Sequence, residues 1–240
     1  MQTLIKIDNL SKSFRTSSGQ LKALDNISLE VFQGDCLIIS GENGSGKSLL
    51  MSIVAGLESC DSGSLTAPKV GLVFQEAETQ ILGETPAEDI AFGPKNLGWK
   101  KEQIDLAVKN ALEKTDLLSK ADFPARFLSG GEKRRLAVAC MLAMDLPLII
   151  LDEPYANLDF GGVKQVNALI RQLKADGKTV IILTHEIEKC LGLANRFVVL
   201  FRGQKVFDGS PSQGLKENLE KWNIRNPLTE YKKVEDLIWE

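Results

Sequence analysis

The segment GENGSGKS, residues 41 to 48, matches the pattern G-x-x-x-x-G-K-[ST] and lies between an apolar run, CLIIS, and a helix-compatible stretch, LLMSIVAGL. That pattern is suited to holding phosphate. Glycines let successive backbone N–H groups close around a β-phosphate, Lys47 brings a point charge to the β- and γ-phosphates, and Ser48 can ligate Mg2+. Further along, LIILDEP sets Asp152 after four apolar residues, at the mouth of a buried strand, where the metal carboxylate of such a site belongs. Glu153 beside it can take a proton from an attacking water. Alone, an Asp-Glu pair after a strand is an ordinary strand end; the phosphate loop upstream changes that reading. A further segment, FLSGGEKRRLAVACMLAM at 127 to 144, runs from Ser-Gly-Gly straight into a helix. It presents unpaired N–H groups and the positive end of a helix dipole, so it is a second phosphate cradle.

These groups need a frame. The runs CLIIS (36 to 40), VGLVF (70 to 74), PLIILD (147 to 152) and TVIILT (179 to 184) are apolar at nearly every position, as strands buried on both faces are. LIKIDNLSKSF and KALDNISLEV instead partly alternate around a Gly/Ser-rich turn, which predicts an antiparallel edge sheet. Residues 85 to 143 read as mostly helical, with Ile104, Val108, Ala111, Leu112 and Leu118 at helical spacing. RFVVLFRGQKVFDGS predicts a hairpin turning at Arg202 and Gly203, followed by a polar helical tail. The expected class is α/β, with a mainly parallel core sheet, an N-terminal antiparallel β-subdomain and an inserted α-helical subdomain. Its organisation is one domain over 1–240: core from 1–75 and 145–215, helical subdomain 85–143 and tail 216–240.

Composition narrows the partners. A net charge of −3 over 240 residues offers no whole-chain attraction for nucleic acid or anionic lipid, and no nucleic-acid partner is expected. Lys133, Arg134 and Arg135 read as a solvated helix face. Cys36, Cys60, Cys140 and Cys190 form no CxxC pair and His185 is the only histidine, which excludes the common zinc spacings and fits reduced thiols. The N-terminal residues have no apolar leader-like core, and no stretch reaches the roughly 18 apolar residues of a membrane span, so the chain is expected to be soluble.

In their order along the chain these motifs resemble the nucleotide-binding subunit of an ABC (ATP-binding cassette) ATPase. The resemblance makes Gly41, Glu42, Asn43, Gly44, Ser45, Gly46, Lys47 and Ser48, with Leu49, the Walker A loop that binds ATP. Leu148 to Asp152 becomes Walker B, with Glu153 the catalytic glutamate. Gln75 becomes the Q-loop glutamine and His185 the switch histidine; by itself a lone histidine at a strand end is more often structural. Phe14 corresponds to an aromatic that stacks on adenine, its alternative being an edge-strand core aromatic. ATP and Mg2+ are the implied cofactors, with Ser48, Gln75 and Asp152 around the metal. Leu128, Ser129, Gly130, Gly131 and Glu132 match the signature, which in such ATPases covers the ATP of a second cassette. Asp159 would contact the opposite P-loop. Glu132 stands where glutamine is common, Tyr155 follows Asp-Glu-Pro where Thr or Phe is frequent, and Asn157 stands where a smaller residue is usual.

VFQEAETQILGETPAEDIAFGPKNLG, residues 73 to 98, is similar to the energy-coupling factor group of these ATPases, of cobalt, nickel, biotin and vitamin type. Gln75, Gln80, Ile81 and the run EDIAFGPKNLG carry the likeness, and Glu76-Ala77-Glu78 departs from it. The implied function is the ATP-hydrolysing subunit of a membrane importer of a metal ion or vitamin, peripheral on the cytoplasmic face of the membrane. Implied partners are a transmembrane coupling subunit, a substrate-binding membrane component and a second ABC ATPase. Residues 76 to 94 would hold the docking groove, apolar Ile81, Leu82 and Phe92 beside acidic Glu84, Glu88 and Asp89 suiting a partner helix that carries arginine. The alternative is a soluble ABC-type ATPase gating a non-membrane partner.

Overall fold

In the computed structural model, which describes residues 2–17 and 19–232, the chain opens with a long antiparallel pair, β1 (Thr3–Thr16) and β2 (Gly19–Phe32). Its register slips near Asn9 and Asn26, which take φ of 51° and 55°. Asparagine enters the left-handed region more cheaply than most residues, and such bulges add twist. Then come β3 (Cys36–Ser40), α1 (Lys47–Val54), β4 (Ser62–Thr66) and β5 (Gly71–Val73). The helical segment holds α2 (Pro86–Asn96), α3 (Lys101–Lys114) and α4 (Gly130–Ala143). The chain then returns through β6 (Leu148–Asp152), α5 (Phe160–Ala175), β7 (Thr179–Leu183), β8 (Arg196–Phe201), β9 (Gln204–Gly209) and a short α6 (Pro211–Gly214).

Six strands form the core sheet in the order β5-β6-β7-β3-β8-β9, parallel except for the β8–β9 hairpin. That hairpin turns at Arg202 and Gly203 as expected, both with positive φ. A second sheet, β2-β1-β4, is antiparallel. Its third strand, SGSLT, has no alternating apolar signal; pairing with β1 alone creates it.

The solid apolar runs are explained by side chains alternating between two buried faces. Leu37, Ile39, Ile150, Ile181 and Leu183 pack with α1 and the antiparallel sheet, while Cys36, Ile38, Ile149, Val180 and Ile182 pack with α5. Because β3, β5, β6 and β7 are parallel, the loops after their carboxyl ends gather at one edge of the sheet. Gly41 to Ser48, Gln75, Glu153 and His185 all lie in or beside those loops.

The helices of 86–143 enclose their own core around Ile90, Leu112, Leu128 and Leu136. α4 is the joint: Leu136, Ala139 and Ala143 face that core, while Ala137 and Val138 face the sheet's α5 side. This placement corrects the reading of Lys133 to Arg135 as a solvated face. Lys133 pairs with Glu78 at 2.9 Å, Arg135 donates to Gln165 at 2.6 Å, and Arg134 reaches the core loops. A helix lodged between two packed bodies has little free circumference. The tail is also less polar and less helical than expected. Leu219, Trp222 and Ile224 are buried on the sheet, with the Trp222 ring 6.2 Å from Phe207. Residues 233–240 of that tail lie outside the described residues. Among the described residues no helix is long and apolar enough to cross a membrane.

Candidate active site

The loop between β3 and α1 turns on glycines at positive φ, where a side chain is strained. A Cβ on Gly41 would fall 2.0 Å from the Leu200 carbonyl oxygen, and one on Gly46, at φ 100°, would fall 2.6 Å from Leu24 Cδ2. Gly46 precedes α1 without a side-chain cap, so the first N–H groups of the helix face the loop. Lys47 is buried, and its Nζ donates to the carbonyls of Gly41 at 2.8 Å and Glu42 at 3.0 Å. Burial pulls its pKa down, and Glu153, Asp152 and Glu42 oppose that fall.

Asp152 Oδ1 and Glu153 Oε2 are buried with no hydrogen-bond partner among the described residues. Burial pushes the Asp152 carboxyl above its ordinary range, the Ser48 hydroxyl pulling it back and the Glu153 charge raising it further. A hard cation fits here: carboxylate and hydroxyl oxygens beside a phosphate loop are the donors Mg2+ takes, with phosphate and water completing the shell. Glu153 has φ 45°, a costly conformation for glutamate and one that clusters at functional sites. Its Oε1 lies 3.0 Å from His185 Nδ1. His185 is 48% exposed at the end of β7, so it is no core histidine.

Lys47, Ser48, Glu153 and Gln75 line one cavity of about 360 Å3, together with Asn43, Gly44, Gly46 and Leu49. Phe14 is not among its lining residues; it is 39% exposed, with Lys12 Nζ 5.3 Å from its ring centre. Ser129, Gly130, Gly131 and Glu132 line a different and larger cavity, about 710 Å3, with Asp159 and again Gln75. Lys47 and Ser129 therefore open into different cavities. In the second, Ser129 caps α4 by accepting the Glu132 N–H at 3.3 Å, while Glu132 accepts the Ser129 N–H at 2.9 Å. Gly130 and Gly131 have nothing within 4 Å of where a Cβ would stand, so the helix start is open.

A family model described as ABC transporter matches residues 24–156. The chain belongs to the ABC transporter family. It is 38% identical to the energy-coupling factor transporter ATP-binding protein EcfA2 of Thermotoga maritima, over 92% of this chain and 86% of that protein. With EcfA2 of Methanospirillum hungatei it shares 35% over 95% of its own length, but spans only 61% of that relative. Among solved structures, cbiO1 of Clostridium perfringens, part of the ABC transporter complex cbiONQ, superposes with TM-score 0.81 at 29% identity, covering 95% of this chain and 97% of the other. The dimeric ATP-binding cassette MJ0796, in a post-hydrolysis state with ADP and Pi, gives TM-score 0.77 at 25% identity over 87% and 99%. The chain is thus an ABC ATPase that uses ATP and Mg2+, on the ABC cassette fold.

Several residues of this ABC ATPase have partners that account for the departures. Glu132 holds Lys120 at 2.6 Å, and that contact keeps its carboxyl below the usual range. Tyr155 is fully buried and donates to Asn167 at 2.8 Å, bracing the turn after Glu153. Asn157 has φ 58°, which asparagine tolerates. Asp159 caps α5 through the Gly162 N–H at 2.7 Å.

The acidic docking surface expected at Glu84, Glu88 and Asp89 needs correcting at Asp89, since Glu84 and Glu88 are exposed. Asp89 is buried, accepting N–H groups of Leu82 and Gly83 at 2.7 and 2.8 Å and the Cys140 thiol at 3.3 Å. Glu88 is turned to the Glu84 N–H at 3.1 Å. Two backbone donors in a tight loop need an acceptor, and that need is met from within the chain. Leu82, 68% exposed, and Phe92, 49% exposed, stand outward beside the exposed Glu84 and Glu88.

Two positioning residues had no readable signal of this role. Gln80 acts as a strand partner for the end of β5, donating to the Leu72 carbonyl and accepting the Phe74 N–H, both at 2.8 Å. Arg134 reaches from α4 to the carbonyls of Pro154 at 2.9 Å, Ala156 at 3.1 Å and Gln75 at 3.0 Å. One guanidinium thus ties the signature helix to both loops that flank the site. Three adjacent basic residues on a helix give no sign of which one turns inward. Arg134→Ala is expected to slow ATP turnover by about 10- to 100-fold through misplacement of Gln75 and Glu153, with ATP affinity nearly kept. Steady-state hydrolysis beside equilibrium ATP binding checks this; equal loss in both would place the residue in binding instead.

Proposed function

We propose that the chain, residues 1–240 acting as one ABC ATPase domain, is the ATP-binding and ATP-hydrolysing subunit of an energy-coupling factor-type importer of a metal ion or vitamin. In this reading Lys47 and the Walker A N–H groups hold the triphosphate, while Ser48, Asp152 and Gln75 surround Mg2+. Glu153 accepts the proton of the attacking water, and His185 orients Glu153 and meets the γ-phosphate. Phe14 stacks on adenine from the rim. The observation that carries the dimeric part is the separation of the two cradles: Ser129 opens into a cavity that Lys47 does not line. A P-loop wraps one side of a triphosphate, and donors are needed on the other. A second cassette supplies them, Ser129 to Gly131 of each covering the ATP of the other, with Asp159 at the junction. ATP then closes the pair and hydrolysis releases it.

Support for the membrane assignment comes from relatives named as energy-coupling factor transporter ATP-binding proteins and from the outward apolar pair Leu82 and Phe92 on the segment that carries the group's pattern. The chain would sit peripherally on the cytoplasmic face, against a transmembrane coupling subunit and, through it, a substrate-binding component. A tagged chain is expected to copurify with membrane-spanning subunits from detergent extracts, and Leu82→Asp with Phe92→Asp to abolish that while leaving ATP binding intact. Copurification with soluble proteins alone would favour an ATPase gating a non-membrane partner.

A further inference from the structure

The Walker A loop has a contact that phosphate chemistry does not require. The carboxylate of Glu42, its second residue, accepts an N–H from the Asn223 side chain at 2.6 Å. Asn223 is held firmly from behind. It ends the turn Leu219–Trp222 with φ 56°, and Leu219, Trp222 and Ile224 around it are buried on the sheet. Anchored neighbours and the left-handed turn fix the backbone from which the exposed Asn223 side chain reaches Glu42, and asparagine is among the few residues that adopt the conformation readily.

On the loop side Glu42 has two tasks. Its carbonyl accepts Lys47 Nζ at 3.0 Å, and its charge helps keep Lys47 protonated against burial. Yet a carboxylate in a phosphate-binding loop repels the triphosphate. Neither Glu42 nor Asn223 lines the cavity shared by Lys47, Ser48 and Glu153, so the carboxylate is held outside it.

We propose that Asn223 is a positioning residue of the nucleotide site, whose amide holds the Glu42 carboxylate away from the triphosphate and steadies the loop carbonyls that Lys47 leaves for the phosphates. This makes the segment 219–224, far from Walker A in sequence, part of the ATP site. It rests on the reading of residues 41 to 48 as the nucleotide loop.

Equilibrium binding of fluorescent ATP and ADP analogues to the full chain tests it, with thermal unfolding of each variant alongside. Asn223→Ala should weaken ATP about five- to tenfold, within the range of one ordinary hydrogen bond because the contact reaches the triphosphate only through Glu42, and ADP by less because it carries less charge. Asn223→Asp, which sets a second carboxylate against Glu42, should be worse for ATP than Asn223→Ala. Glu42→Gln should restore ATP affinity in both backgrounds: an uncharged side chain needs no restraint, and in the Asn223→Asp chain the glutamine amide remakes the bond with donor and acceptor exchanged. ATP affinity unchanged in Asn223→Ala overturns the proposal. So does an equal loss for ATP and ADP that Glu42→Gln fails to repair, the mark of a merely structural role. A wild-type chain that binds neither nucleotide would instead overturn the loop assignment itself.

Discussion

Glu153→Gln is expected to bind ATP and hydrolyse it about 10²- to 10⁴-fold more slowly, the loss typical of removing a general base. Glutamine keeps the size of glutamate and can still meet His185 Nδ1, which Glu153 Oε1 approaches at 3.0 Å. It cannot accept the proton of an attacking water. The groups assigned to the triphosphate and Mg2+, Lys47, Ser48 and Asp152, are untouched, so binding survives. The substitution also removes a negative charge from a buried carboxylate whose Oε2 has no partner among the described residues, easing repulsion of the γ-phosphate. ATP should therefore dwell longer and hold two cassettes together. Size-exclusion chromatography with Mg2+ and ATP would show a dimer that wild type forms only transiently, and turnover in the assembled complex would show the loss. Unchanged turnover there would remove Glu153 from the base role.

The second large effect is expected from mixing two inactive chains. Lys47→Ala removes the phosphate charge from a chain's own loop, and Ser129→Arg fills the cavity of about 710 Å3 into which the signature opens. Each variant alone should lose nearly all ATPase activity, because both sites in its dimer lack one half. In a mixed dimer the Ser129→Arg chain brings an intact loop and the Lys47→Ala chain an intact signature. Statistical pairing in an isologous dimer then leaves about a quarter of the wild-type number of whole sites. Recovery toward that level on mixing supports completion by a second cassette. A photoreactive ATP analogue that labels position 129 of the same chain whose Lys47 holds it, in protein shown to be monomeric, would sink the idea.

The chemistry of this protein is largely written in local sequence, since it depends on backbone geometry that only certain residues permit. Gly41 must be glycine, as the 2.0 Å approach of the Leu200 carbonyl shows, and Gly44 and Gly46 hold φ of 81° and 100°, where a side chain is strained. Asp152 and Glu153 follow a strand whose apolar run is unmistakable, and Ser129 with Glu132 spells a capping box. The parallel sheet, the β8–β9 hairpin and the helical insertion were legible for the same reason: period and turn chemistry are properties of short stretches.

What only the tertiary structure decided concerns partners far apart in the chain. Whether a charged side chain meets solvent or a neighbour depends on which body packs against its element, and no local pattern carries that. Arg134 grips loops on either side of the site, and Asp89 turns inward to unpaired N–H groups. β4 exists because β1 has a free edge, and Asn223 reaches Glu42 because the apolar residues on either side of it anchor on the sheet. The sequence by itself determined which atoms could hold phosphate and metal; the fold determined that Lys47 and Ser129 open into separate cavities, because Ser129 starts a helix packed between two bodies and the loop 41–48 sits at the end of a strand inside one of them.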